Sequence, residues 1–250
     1  MPIFIRVLST ECLKLRRTLA FWMVLVAPLV MVLLQFAISY KRAPSFLHDG
    51  KDAWSPMVHQ TVEVWALLMM PMFVTLETSL LAGLENTGKN WKSLLALPAP
   101  RWTIYVSKLA VTIALLWIAH AVLIGGTIGS GLLLKLLHPA LNLGQMPLSP
   151  FVGPMATVSV STLLAVAIQH WVSVRWNSYS VAMGFGMCAM IIGVFVVQSP
   201  AIGPWFPWSL TIRAVMNSGA DSARITLAAF GGAILAACLG CWEFARREIA

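Results

Sequence analysis

The sequence predicts an all-α integral membrane protein with six transmembrane helices, and three observations predict it. Of 250 residues, 59% are hydrophobic and only 10% charged, against roughly 25% charge in soluble domains. The mean hydropathy is +0.81. Several apolar runs reach the roughly 20 residues that cross a bilayer. Residues 1–250 therefore read as one transmembrane domain, with no room for a separate soluble one. The net charge of +8 does not call for nucleic acid, because the basic residues sit at the ends of apolar runs, where lipid headgroups and topology explain them.

Residues 1–18 alternate Ile3, Phe4, Val7, Leu8 and Leu15 with Arg6, Glu11, Lys14, Arg16 and Arg17. That pattern suits an amphipathic helix lying in the membrane interface. It is not a cleavable signal, since the apolar run after it continues to Ile38 and no small-residue cleavage pattern follows. Span one covers 19–39, with Pro28 expected to kink it. Residues 40–55 read as a polar loop. Span two covers 56–84 and carries Glu63 and Glu77, with Thr61, Thr75 and Thr78 nearby. Fourteen residues at about 100° each bring the two glutamates to nearly one face. Ionisable groups inside a span normally face a protein interior or a water path, so Glu63, Glu77, Thr75 and Thr78 are candidates for a polar intramembrane path. Pairing with another helix is the simpler role for the two acids.

Span three covers 102–134, long enough to tilt or project, with small-residue spacing at Gly125, Gly126, Gly129 and Gly131. Spans four (153–174) and five (179–198) are joined by Arg175, Trp176, Asn177 and Ser178 and form a tight hairpin. In residues 199–224, Pro200, Pro204 and Pro207 break a continuous helix while Trp205, Phe206, Trp208 and Leu210 keep the segment apolar, as at an outer interface. Span six covers 225–244, with Gly231, Gly232, Ala236 and Gly240 as a packing face. Eleven Lys and Arg residues fall on the side of the termini and six on the other, which places both termini in the cytoplasm.

Little here could carry chemistry. Gly83 to Asn90, GLENTGKN, nearly matches a phosphate loop, but Asn90 replaces the magnesium-binding hydroxyl and a membrane helix stands where a strand should precede it. His48, His59, His120, His138 and His170 lack ligand spacing; His120 and His170 read as packed or hydrogen-bonded. Cys238 and Cys241 read as small buried residues on one helical face. The expectation is no metal, no catalytic residue and no nucleotide site on this chain.

The informative stretch is the polar island between spans two and three. Glu85, Asn86, Lys89, Asn90, Lys92 and Ser93 are polar. Trp91, Leu94, Leu95 and Leu97 recur at helical spacing, and Pro98 and Pro100 end the helix. By composition alone, a docking helix and a solvated amphipathic helix that binds nothing fit equally well.

With a basic amphipathic N-terminus, a span and a long second span ahead of it, this loop resembles one found in permease subunits of ABC-2-type ATP-binding-cassette exporters. The matching residues are Glu85, Trp91, Lys92, Leu94, Leu95, Leu97, Pro98, Arg101, Ser107 and Lys108, with Asn90 where that family varies. A shorter likeness, Phe206-Pro207-Trp208-Ser209-Leu210, is similar to an element of bacteriocin- or lantibiotic-immunity and bacitracin-resistance-like permeases. The resemblance implies a separate ATP-binding-cassette ATPase subunit holding ATP and magnesium, and a second permease copy, identical or paralogous. It implies placement in the cytoplasmic (inner) membrane of a prokaryote. Residues 85–100 would be the coupling helix, with Glu85, Asn86, Lys89, Trp91, Lys92, Leu94, Leu95, Pro98 and Arg101 as ATPase-coupling residues. Residues 199–224 would form the outer gate, at Pro204, Trp205, Phe206, Pro207 and Trp208. The cargo would be apolar or amphipathic: an antimicrobial peptide, a drug or a lipid-like compound. The family gives no motif for Glu63 or Glu77. Two other readings stand beside this one: a secondary transporter using a membrane-buried glutamate, and a non-transporting scaffold or sensor.

Overall fold

Apolar runs of this length have to satisfy their own backbone hydrogen bonds in lipid, and the α-helix does so within a single segment. The computed structural model describes residues 3–16, 18–49, 54–87, 99–139, 148–176, 178–217 and 219–246, and every regular element among them is helical. α1 is Ile3–Leu15 and α2 is Leu19–Asp49. α3, Trp54–Val64, passes through a π-turn at Trp65–Met69 into α4, Met70–Thr87. α5 is Arg101–Leu137, α6 Leu148–Arg175 and α7 Tyr179–Val196. α8 is Pro207–Met216 and α9 Gly219–Arg246. Among the described residues six stretches are long and apolar enough to cross a membrane, in agreement with the six predicted spans.

Span two, α3 through α4, is the axis of the bundle. Some 56% of its most apolar window is buried, against 17% for α9. Trp65, Ala66, Met70, Thr75 and Glu77 are all fully buried. α7 packs chiefly on α4, α2 chiefly on α5, and α9 chiefly on α6. The turn between α6 and α7 is as short as the sequence suggests, and Gln169 Nε2 donates across it to the Ala182 carbonyl at 2.8 Å. α7 nonetheless leans more on α4 than back on α6.

Several expectations are corrected. The polar loop placed at 40–55 is helical as far as Asp49. Charged residues mark where the bilayer ends, not where the helix ends, and Lys and Arg are good helix formers. α9 likewise starts at Gly219, six residues ahead of the apolar run, with an Asp221–Arg224 pair in its first turns at 3.5 Å. Cys238 is exposed and Cys241 half-buried, so they are not a buried pair. Glu63 and Glu77 do not share a face: Glu63 is exposed and Glu77 is fully buried. The π-turn lies between them. Its Met70 N–H donates to the Trp65 carbonyl five residues back, which takes one extra residue into the turn and shifts the phase of all that follows. Pro71 directly follows it, and in a regular helix its ring would clash with the carbonyl four residues back.

Small residues set the closest approaches. A Cβ on Gly186 would collide with the Thr75 side chain and come within 2.9 Å of Gln169 Nε2, whereas Gly184 has nothing within 4 Å. Of the predicted stripes, Gly126, Gly131, Gly232 and Gly240 also meet a neighbour, and Gly125, Gly129 and Gly231 do not. Gly186→Leu is expected to cost about 1–3 kcal/mol through overpacking, read as a lower unfolding midpoint of the purified protein in detergent. Gly184→Leu is expected to leave the midpoint unchanged.

Candidate functional site

The polar island meets the bundle through a buried cluster of four charges. On α1, Glu11 and Lys14 are three residues apart and share a face. α4 contributes Glu85 near its end, and α5 contributes Lys108 two turns from its start. Lys108 Nζ lies 2.6 Å from Glu11 Oε2 and 3.0 Å from Glu85 Oε1. Lys14 Nζ lies 2.8 Å from Glu11 Oε1 and 2.7 Å from Glu85 Oε1. Two cations and two anions alternate, so each charge touches two of opposite sign. Glu11, Glu85 and Lys108 are buried, and Lys14 closes the ring from the half-exposed side. Burial alone would lower the Lys14 ammonium, but its hydrogen bonds and charge attraction to Glu11 and Glu85 outweigh that and hold its pKa above the usual lysine value.

Glu85, grouped by sequence with the docking residues, thus faces inward and joins α1 to both arms of the island. In the sequence Lys108 figures only among the residues of the family likeness, and Glu11 and Lys14 read as an interfacial flank. No local pattern links these positions, which are 23 to 97 residues apart in the pairs between helices. Of the other coupling candidates, Arg101 opens α5 and is half-buried, and Asn86 lies in the last turn of α4. Lys89, Trp91, Lys92, Leu94, Leu95 and Pro98 lie outside the described residues. Gly83 to Thr87 continue the α4 helix, which is not the strand-to-loop setting that a phosphate loop requires.

The interior of span two holds a second acid. Among the described residues neither Glu77 carboxylate oxygen, both of them buried, has a hydrogen-bond partner, and neither does the buried Ser79 hydroxyl. Thr75 and Thr78 donate to their own helix, to the Pro71 and Val74 carbonyls at 2.8 Å, so neither turns its hydroxyl hydrogen to Glu77. Deeper in the bundle, His120 Nδ1 lies 2.9 Å from Ser159 Oγ. His170 packs edge-on against Tyr105 at 4.7 Å. Both histidines are packed residues, as their isolation in the sequence suggests.

At the opposite end of span two, the proline-rich segment turns back on the bundle. Pro207 starts α8, where its missing N–H is harmless. Ser209 Oγ donates to the Gly203 carbonyl at 2.6 Å, and Arg213 Nη1 donates to the Val197 carbonyl at 2.7 Å, capping the end of α7. Trp208 is buried against Gly193 and edge-on to Phe185. Pro204 and Phe206 are half-buried, and Trp205 is 82% exposed. α8 also touches α6, α9 and the π-turn. Beside it, Glu63 borders an apolar groove.

Glu85 and Glu77 are expected to respond oppositely. Glu85→Ala leaves Lys108 buried with half its counter-charge and is expected to cost about 3–5 kcal/mol. Glu77→Leu replaces an unpartnered carboxylate with a side chain of similar volume and is expected to stabilise by about 1 kcal/mol or more. Thermal unfolding of the purified variants in one detergent checks both signs.

The chain matches the ABC-2 family transporter protein profile over residues 7–198, from the second turn of α1 to just past α7. The match takes in all four charges of the cluster and the whole island. A comparison with curated proteins returns no match. The match covers well over half of the chain, and the chain belongs to the ABC-2 family of transporter proteins.

Proposed function

We propose that this permease exports an apolar or amphipathic compound, or extracts it from the membrane, using ATP and magnesium bound by a separate ATP-binding-cassette ATPase subunit. Two permease copies, identical or paralogous, would form the pathway in the inner membrane of a prokaryote, with both termini in the cytoplasm. α1 would lie in the interface, residues 85–100 would dock on the ATPase, and residues 199–224 would gate the outer side. The Phe206–Leu210 likeness favours an antimicrobial peptide as cargo, in bacteriocin immunity or antibiotic resistance, over a drug or a lipid.

The observation that carries this reading is the buried charge cluster at the feet of the island. A loop pushed by a motor moves a bundle only if its two arms are tied to something stiff. Here Glu85 and Lys108 hold both arms to each other and to α1. An ATPase subunit is expected to co-purify with the wild-type chain, and Lys92→Glu is expected to abolish its retention while leaving expression unchanged. Normal transport by a well-expressed Lys92→Glu variant would remove residues 85–100 from the coupling role.

Glu77 supports a second reading. A fully buried carboxylate without a hydrogen-bond partner among the described residues is also what a gradient-driven carrier would use as its proton or cation site. That reading expects transport to persist without any ATPase, to collapse with the proton gradient and to be lost in Glu77→Gln.

A further inference from the structure

The groove beside α8 lies at the end of span two remote from the charge cluster. Val64 and Leu67 of span two, Val197 after α7, and Ile212 and Met216 of α8 give it apolar walls enclosing about 310 Å³. Glu63 is its one charged lining residue, and the Gln198 amide is the other polar group on the wall. α8 packs against both α3 and the π-turn, and the extra residue of that turn takes Glu63 out of phase with the buried face of α4.

What such a groove selects follows from its charge. Glu63 is exposed, and no lysine or arginine pairs with it among the described residues. Arg213, on the same helix as Ile212 and Met216, turns its guanidinium to the Val197 carbonyl instead. His59 lies one helical turn before Glu63 and is exposed. An anion entering the groove would meet an unneutralised carboxylate beside low-dielectric walls. A cation on an apolar body would gain both the charge attraction, strengthened where water is thin, and the burial of its hydrocarbon surface. Where the cation carries N–H groups, Gln198 Oε1 adds an acceptor.

We propose that this groove is a binding site for lipophilic or amphipathic cations, with Glu63 as their counter-charge. The inference rests on the export reading only in naming the class of cargo, since binding itself needs no ATPase.

Tetraphenylphosphonium and tetraphenylborate test it, being nearly the same in shape and opposite in charge. Binding of each is measured by equilibrium dialysis to the full chain in zwitterionic nanodiscs at physiological salt, with empty nanodiscs subtracted. Wild type is expected to prefer the cation. Glu63→Gln is expected to weaken tetraphenylphosphonium about tenfold, the loss of one partly solvated charge pair, without weakening tetraphenylborate. Glu63→Asp is expected to restore most of the preference. Met216→Lys, which supplies a competing cation from the wall, is expected to weaken tetraphenylphosphonium as well. No saturable binding of the cation, equal affinity for both ions, or an unchanged affinity in Glu63→Gln would overturn the proposal. Any of these results together with a co-purifying ATPase would leave the export reading standing without this site. Cation preference in a chain that retains no ATPase would do the reverse.

Discussion

A charge brought out of water is costly unless other charges meet it, and the base of this protein is arranged by that constraint. Lys108 enters the bundle two turns inside α5, and Glu85 closes α4. Either charge alone would be costly there. Glu11 and Lys14 complete the ring, so α1 has to pack where it does and the two arms of the island have to stay together. Removing any one member strands the others. The arrangement holds α1, α4 and α5 as a unit more by the penalty for separating them than by any net gain from joining them.

From that unit outward the bundle becomes looser. Span two is enclosed along most of its length, whereas α7 and α9 expose much of their apolar surface. Leu227, Leu235 and Phe195, for example, are largely exposed. The two ends of span two are also unlike in character. The island end is closed by charge, and the other end by a short helix held through backbone carbonyls, with Ser209 and Arg213 as donors. The first closure is strong and long-range in sequence. The second is local, spanning 6 to 16 residues.

The difference between these closures explains how much the sequence discloses. Hydropathy gives the six spans, because the bilayer imposes their length and composition whatever they pack against. Pro207 and the tryptophans beside it show where a break and an interfacial turn must fall. Helix ends are missed wherever a helix leaves the bilayer, as α2 does beyond Tyr40, because hydropathy reports lipid and not hydrogen bonding. The charge ring is not legible, since its members belong to three elements and each has an adequate local explanation. The sidedness of Glu63 and Glu77 is misjudged for a single reason: an even 100° per residue presumes an uninterrupted α-helix, and Pro71 with its π-turn interrupts it.

The π-turn also bears on comparison across relatives. It stores one residue more than a regular helix of the same rise, so a homologue with an unbroken second span would align to this chain only with a one-residue gap between Trp65 and Met69. Gaps are rarely admitted inside a membrane span. An ungapped alignment would keep α3 in register, displace every residue of α4 by one, and pair Glu77 with a position on a different face, about 100° away. Whether a relative shares this buried acid is therefore a question about the register of the helix before it is one about the identity of the residue.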